Sequence, residues 1–217
     1  MDTLVIDEKN NDVQELAKRD PTMGKLIRYI GSINIPLRTD YFASLVRSIV
    51  GQQISVAAAS AVFERLKSLA GETINIDAFH KITDDQLRHI GFSKRKIDYV
   101  RDLVAHINKQ EIILTQLPEW DNEMIIKQLT GVKGIGKWTA EMFLILSLGR
   151  MDVLAIDDIG IQRGARWLYQ VDKSERKEIL KEKEKLWTPH LTIASCYLWE
   201  IVHMDLERRF PTIDDIE

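Results

Sequence analysis

Apolar residues recur at helical spacing along almost the whole chain, and no other feature of the sequence constrains the fold as strongly. Within residues 42–50 they fall at positions i, i+3, i+4, i+7 and i+8, which places them on one face of an α-helix. The same spacing returns in residues 58–66, 97–107, 138–148 and 193–202. Alternating strand patterns are not evident, although short strands near the N-terminus are left open. We therefore predict an all-α fold with several helices of about three turns each.

Composition narrows the class of protein. The 217 residues are 45% hydrophobic and 29% charged, an ordinary globular composition in a chain large enough to bury a core. No apolar run approaches the roughly 18 residues of a membrane span, and the first residues, MDTLVIDEKNND, lack the pattern of a signal peptide. We therefore expect no membrane association and an intracellular protein, cytoplasmic and nucleoid-associated if bacterial.

Metal and disulfide chemistry find little support in the sequence. A single cysteine, Cys196, excludes an internal disulfide, a Cys-based zinc site and an iron–sulfur cluster. It lies in the apolar run ASCYLW, where a buried core position is the simplest interpretation. The five histidines show no HExxH or comparable ligand spacing, so a side-chain metal site is not expected.

Charge is unevenly distributed around a net value of −3. Residues 88–101 contain five basic residues and one acidic residue, a local balance of +4. A basic patch of this kind is compatible with a nucleic-acid footprint, but a solvated surface is the simpler explanation when the patch is considered alone.

The helical pattern is interrupted in LTGVKGIGKWTAEMFLIL, residues 129–146. Its three glycines permit a positive φ and a close backbone approach, and the helix that follows presents its first amides and the positive end of its dipole. This combination predicts an anion site that fits a phosphate. A tight αα-turn with a glycine C-cap is the alternative, although one glycine suffices for it. The residues assigned to phosphate binding are Gly131, Lys133, Gly134, Gly136, Lys137 and Thr139.

Five separated segments carry a resemblance to a known family: FASLVRSIVGQQISVAAA, IGFSKRKIDYVRDLV, LTGVKGIGKWTAEMF, VLAIDDIGIQRG and WTPHLTIASCYLW. In this order they resemble the helix-hairpin-helix DNA glycosylase superfamily, and within it the 3-methyladenine DNA glycosylase II family. The resemblance implies one glycosylase domain over residues 1–217, with the helix-hairpin-helix at about 124–148 and no N-terminal β domain. It also implies two helical lobes flanking a cleft, and N-terminal helices packed with the C-terminal ones.

The catalytic carboxylate of that family falls on Asp158, with Asp157 beside it. Excision of a purine methylated at N3 or N7 breaks the bond to a leaving group that already bears positive charge. The resemblance therefore implies that Asp158 stabilises oxocarbenium character in the sugar and orients or activates the attacking water. Either aspartate can instead be only the N-cap of the helix beginning near residue 159.

The resemblance also assigns the residues that would receive a damaged base. The target atom is inaccessible within a duplex, so the nucleotide must be flipped out, and an electron-rich ring attracts a cationic base. The pocket positions fall on Trp138 and Trp199, with Tyr41 or Phe42 as further candidates, and the wedge that fills the gap in the DNA falls on Gln53. For a tryptophan in an apolar helix, a core position is the alternative.

Two details of mechanism follow from the same resemblance. In bifunctional relatives a lysine occupies the position of Trp138, whereas Lys137 is rotated from it by about 100° on a helix. A monofunctional enzyme that leaves an intact abasic site is therefore expected. The family also holds an alkali cation, Na⁺ or K⁺, through hairpin carbonyls that fall on Thr130, Val132 and Ile135. No other cofactor is expected.

The sequence leaves several alternatives open. Met142, Gly160 and Leu191 depart from forms common in the family, which leaves the range of damaged bases undetermined. The expected partner is double-stranded DNA containing alkylated bases, bound by a monomer. A helix-hairpin-helix protein that binds DNA without catalysis is the alternative from another class, and excision of hypoxanthine or ethenoadenine is the alternative among enzymes. A hydrolase using the Asp157/Asp158 pair is disfavoured because adjacent side chains point in different directions.

Overall fold

The computed structural model describes residues 2–71 and 73–216, and these residues are predominantly helical. In chain order their strands and α-helices are β1 (Thr3–Ile6), α1 (Asn11–Arg19), α2 (Pro21–Ile30), β2 (Ile33–Pro36), α3 (Tyr41–Gly51), α4 (Val56–Ala70), α5 (Ile76–Lys81), α6 (Asp84–His89), α7 (Lys94–Asn108), α8 (Asn122–Thr130), α9 (Lys137–Leu146), α10 (Ile159–Tyr169), α11 (Arg176–Trp187), α12 (Leu191–His203) and α13 (Leu206–Arg209). Short 3-10 segments cover Leu114–Glu119 and Ile213–Asp215. The all-α prediction is confirmed.

The start of most helices follows from a capping side chain. In each case an oxygen of the residue before the helix accepts a hydrogen bond from a backbone amide of the first turn, which has no partner within the helix. Longer helices with such a cap follow Asn10, Asp20, Asp40, Ser55, Ser93, Asp121 and Asp158. α11 and α12 begin without a side-chain cap. Where a cap is present, the start of the helix is fixed locally by the sequence.

The described residues divide into two compact units. The terminal unit combines residues 2–37 with residues 144–216, and the central unit consists of residues 38–71 and 73–143. The expectation that N-terminal helices pack with C-terminal ones holds in the terminal unit, where α2 contacts α10 and α12, and α1 contacts α11.

The terminal unit is built around α12. The stretch from Leu191 to Leu198 is buried throughout, and α12 packs most extensively against α10. The same unit contains an antiparallel pair of strands, β1 and β2, in which the buried Ile6 stands opposite the buried Ile33. These are the short N-terminal strands that the sequence left open.

The central unit is organised by α3, α4 and α7, since α3 contacts both of the other two helices. The apolar stripe of α3 is buried at Leu45, Val46 and Ile49, as its spacing predicts, and α7 buries Val100 and Leu103. α8 and α9 follow as the two helices of the predicted hairpin, with residues 131–136 between them.

Two features of the described residues relate to the composition of the chain. No helix among them has both the length and the apolar character that crossing a membrane requires. Cys196 lies in the core of the terminal unit, where burial raises the pKa of its thiol to about 12. A thiol in this environment is a packing residue rather than a nucleophile.

Candidate active site and nucleic-acid interface

The hairpin loop requires glycine chiefly at Gly134. This residue has a φ of +81°, and a Cβ there would lie 2.1 Å from the Tyr99 ring, so any side chain would clash. Gly131 has a φ of −66° in the right-handed region. Gly136 does not have a positive φ, and a Cβ there would meet no described atom within 4 Å. The loop therefore uses a positive φ at one of the three glycines, while its face at Gly136 is open.

Lys133 in the loop and Lys137 at the start of α9 both lie beside carboxylates of the central unit. The Lys133 backbone amide donates to Asp102 Oδ2 at 2.8 Å, and Lys133 Nζ is 3.3 Å from Asp102 Oδ1. Burial alone raises the pKa of the Asp102 carboxyl, but the hydrogen bonds from Lys133 outweigh it and hold that pKa below its ordinary value. Lys137 Nζ is 3.4 Å from Glu141. The side chains of Lys133 and Lys137 are nevertheless 73% and 66% exposed.

The remaining hairpin residues differ in accessibility. Thr139 is 5% exposed, so its side chain lies inside the protein and a phosphate contact by its hydroxyl is not supported. Among the carbonyls predicted to hold an alkali cation, that of Val132 accepts a hydrogen bond from the Ile135 amide at 3.1 Å. A carbonyl oxygen has two lone pairs, so this bond leaves one for a cation. The cation site stays a prediction.

The predicted wedge, Gln53, lies in the short loop between α3 and α4. It has a φ of +59°, which is uncommon outside glycine, and its side chain is exposed. Arg95 donates to Gln53 Oε1 at 2.6 Å, and the neighbouring Gln52 donates through Nε2 to the Gly134 carbonyl at 2.7 Å. Sequence reasoning assigned no role to Gln52 and included Arg95 only in the basic patch of residues 88–101. The contacts of both side chains with this loop had no signal beyond their position in the GQQIS and SKRK segments.

The aromatic candidates of the central unit divide by exposure. Trp138 is 43% exposed, at the first turn of α9. Tyr41 is half-buried and meets the Phe143 ring edge to face at 5.6 Å. Phe42 is 4% exposed and packs against Phe79, which makes it a core side chain. A base-stacking role for Phe42 therefore has no support in this structure.

In the terminal unit, Asp158 caps α10 and contacts a tryptophan predicted for the same site. Its Oδ1 accepts the Ile161 backbone amide at 2.9 Å and the Trp199 indole N–H at 2.9 Å. Asp157 instead pairs with Lys177, with its Oδ1 2.6 Å from Nζ. The two adjacent carboxylates thus have different partners, as expected from neighbouring side chains. Asp158 is an N-cap, and this role is compatible with a second one because the residue is half-buried.

Gly160 provides the space in which this contact forms. A Cβ there would lie 3.0 Å from Trp199 Cδ1 and 3.1 Å from Asp158 Oδ1. Both distances are shorter than ordinary van der Waals contact, so a side chain at position 160 would displace one of the two partners.

Two other positions depart from the family pattern. Leu191 is 7% exposed and packs in the core, and Met142 is half-buried.

Comparison with known proteins decides the family. Residues 46–189, more than half of the chain, match the family described as HhH-GPD superfamily base excision DNA repair protein. The chain belongs to the HhH-GPD superfamily. The matched HhH-GPD region begins within α3 and ends just after α11, so it includes the hairpin and Asp158. The resemblance drawn from the five sequence segments is thereby confirmed.

Individual relatives agree with the HhH-GPD assignment. DNA-3-methyladenine glycosylase 1 of Schizosaccharomyces pombe is 33% identical over 213 residues, covering 91% of this chain and 92% of the relative. The crystal structure of a DNA-3-methyladenine glycosidase from Bacillus halodurans gives a TM-score of 0.89 at 36% identity and covers 97% of both chains. The S. pombe 3-methyladenine DNA glycosylase in complex with abasic DNA gives 0.79 at 30% identity, covering 89% of this chain and 97% of that one.

Proposed function

We propose that this protein is a monofunctional DNA glycosylase that excises alkylated purines, including 3-methyladenine and 7-methylguanine, from duplex DNA in base excision repair. Membership in the HhH-GPD superfamily and the names of the relatives support the reaction class. The observation that carries the proposal to this chain is the Asp158 carboxylate, which is half-buried and fixed by an amide and an indole N–H.

The proposed chemistry needs one carboxylate held in place. Methylation at N3 or N7 gives the purine a positive charge, so departure of the base needs little help from a general acid. Positive charge then develops on the sugar, and a preorganised carboxylate stabilises it without reorganising. Because Asp158 Oδ1 accepts both the Ile161 amide and the Trp199 indole N–H, these two donors fix the plane of the carboxylate. In this proposal Asp158 also orients the attacking water.

The proposed DNA contacts lie in the central unit. Phosphate is bound by the first amides of α9 and by the exposed ammonium groups of Lys133 and Lys137. We propose that a Na⁺ or K⁺ ion held by the hairpin carbonyls assists this contact. Gln53 fills the space left by the flipped nucleotide, and the exposed ring of Trp138 attracts the cationic base.

The absence of strand cleavage is proposed from the identity of residue 138. A Schiff-base mechanism needs an amine at this position, and here it is tryptophan. The adjacent amine of Lys137 is directed to Glu141, 3.4 Å away. We therefore propose that the product is an intact abasic site and that the enzyme acts as a monomer.

The proposal is tested by incubating the protein with methylated duplex DNA and quantifying free purines, with strand integrity measured before any alkali is added. We expect release of 3-methyladenine and 7-methylguanine, strands that stay intact until alkali, and loss of release in Asp158→Asn. No release by folded wild-type protein that still binds the duplex would contradict the proposal and favour a non-catalytic DNA-binding protein. Release of hypoxanthine or ethenoadenine in place of methylated purines would contradict the proposed base range.

A further inference from the structure

The loop that carries Gln53 is held in a conformation that its own backbone disfavours. Residues 52–55 connect α3 to α4, and Gln53 lies in the left-handed region at φ +59°. The left-handed region is unfavourable for residues with a Cβ, so such a conformation persists when surrounding contacts determine it. The contacts of this loop therefore bear directly on where the Gln53 side chain is presented.

Two side-chain hydrogen bonds hold the loop from two directions, and a third holds the end of α3 that precedes it. From the hairpin side, Gln52 Nε2 donates to the Gly134 carbonyl at 2.7 Å. From the first turn of α7, Arg95 donates to Gln53 Oε1 at 2.6 Å, and Lys96 Nζ donates to the Val50 carbonyl at the end of α3 at 2.7 Å. Burial, followed by the charge of Arg95, lowers the pKa of Lys96. The loop is thus tied to two elements that the sequence places far from it.

The surface around this loop combines an exposed amide with exposed apolar groups. Ile54 is 40% exposed and Val56 is 84% exposed, in sequence directly after Gln53. Apolar side chains that a soluble protein leaves exposed in a group often mark an interaction surface, and proteins that kink or open DNA insert such groups between base steps.

We propose that Gln52 and Arg95 are positioning residues that act through Gln53. Gln52 fixes the loop to the hairpin. The position at which the hairpin binds a phosphate therefore determines the base step at which Gln53 enters the duplex. Arg95 fixes the direction of the Gln53 side chain before DNA arrives. This inference rests on the proposed function, because it assumes a duplex bound at the hairpin and a nucleotide displaced by Gln53.

The chemistry of Gln52 makes the inference specific. A carbonyl can only accept a hydrogen bond, so the side chain at position 52 must donate and must be long enough to reach it. Methionine has similar length without a donor, and an ionised glutamate has the same shape without an N–H. Both substitutions should therefore disconnect the loop from the Gly134 carbonyl without removing bulk.

The test uses the full-length protein and a duplex with an abasic-site analogue beside 2-aminopurine, whose fluorescence rises when its stacking is disturbed by wedge insertion. Relative to wild type, we expect Gln52→Met and Gln52→Glu to slow the fluorescence rise about three- to tenfold, the size expected for one lost hydrogen bond. Arg95→Ala should act similarly, and Arg95→Lys should restore part of the rate. Affinity for undamaged duplex should stay within about twofold in Gln52→Met, because the phosphate contacts are intact.

Two controls make the result decisive. Gln116→Met changes an exposed glutamine of the same unit and should match wild type. In a Gln53→Gly background, where glycine adopts φ +59° without strain and carries no side chain to insert, Gln52→Met should have no added effect.

Unchanged fluorescence kinetics in folded Gln52→Met, or an equal added loss in the Gln53→Gly background, would overturn the inference while leaving the proposed function intact. A wild-type protein that gives no fluorescence change and releases no methylated purine would instead overturn the proposed function, and the inference with it.

Discussion

Two aspartates of the terminal unit, Asp20 and Asp158, each cap a helix and accept an indole N–H, but they differ in accessibility. Asp20 caps α2 through the Met23 amide and accepts the Trp187 indole N–H at 3.1 Å. Asp158 caps α10 and accepts the Trp199 indole N–H at 2.9 Å. Asp20 is 2% exposed, whereas Asp158 is half-buried.

The further partners of Asp20 explain the difference in role. Its Oδ2 also accepts the Tyr169 hydroxyl at 2.8 Å and lies 3.3 Å from Lys183 Nζ. That carboxylate is enclosed by donors of the protein itself, so no substrate can approach it. An indole-bonded N-cap is therefore not a catalytic signature by itself, and in the proposed mechanism it is accessibility that would allow Asp158 to meet a sugar.

The largest effect on stability is expected from Asp20→Asn. The substitution removes a buried charge and leaves Lys183 and at least one neutral donor without an acceptor, which should lower the free energy of unfolding by about 2–3 kcal/mol. Folded Asp20→Asn protein should release bases at the wild-type rate. Chemical denaturation measures the free energy of unfolding, and an excision assay on the same preparation measures the rate of base release. A large loss of activity in the folded variant would contradict the distinction drawn between Asp20 and Asp158.

The contribution of Asp20 to stability should also depend on pH. Burial raises the pKa of Asp20, but hydrogen bonds from Met23, Tyr169 and Trp187, together with the charge of Lys183, hold it below its ordinary value. The contribution of Asp20 to stability is therefore present above about pH 4, the unfolded-state value, and is lost as the pH falls through the lower folded-state pKa. The free energy of unfolding, measured by chemical denaturation at several pH values between 7 and 3, should decrease less in Asp20→Asn than in wild type.

Removing each indole donor in turn gives a matched pair. Trp187→Phe deletes the N–H that Asp20 accepts and should lower the free energy of unfolding by about 1–2 kcal/mol, with little effect on the excision rate. Trp199→Phe removes one donor from Asp158 Oδ1 and keeps the Ile161 amide, so the carboxylate is held less firmly, which should slow single-turnover excision about tenfold. Equal activity losses in both variants would show that the Trp199 contact has no special role.

The smallest expected effect comes from Gly160→Ala. The added methyl group would have to displace Trp199 or Asp158 by a few tenths of an ångström, which should weaken their hydrogen bond and reduce the excision rate about two- to fivefold. Combining Gly160→Ala with Trp199→Phe sharpens the comparison, because the two losses should not add if both act through the same contact.

Much of this structure could be predicted because it depends on local sequence. The helices follow from apolar spacing and capping residues, and the hairpin follows from the glycines of residues 131–136 and the apolar helices around them. Asp158 was singled out because its segment, VLAIDDIGIQRG, resembles a family motif just before a helix, and its catalytic role stays a prediction. In each case the signal and its structural consequence lie within a few residues of one another.

Contacts between distant segments could not be predicted. Gly134 needs to be glycine because of Tyr99, 35 positions earlier in the sequence. The sequence of the loop itself gives no indication of this contact. The Trp199 partner of Asp158 lies 41 residues away, and the Gly134 partner of Gln52 lies 82 residues away. Phe42 belongs to the apolar stripe of residues 42–50, and its burial against Phe79 follows that stripe rather than its assignment to the base pocket.

The most direct test compares base release and duplex binding in Asp158→Asn, with Asp20→Asn as the matched control. We predict that Asp158→Asn folds, binds undamaged duplex within about twofold of wild type because the phosphate contacts are unchanged, and releases methylated purines more slowly by about 10²–10³-fold. Release from Asp158→Asn at the rate of wild type would contradict the account, since Asp158 would then be an N-cap like Asp20 and nothing more.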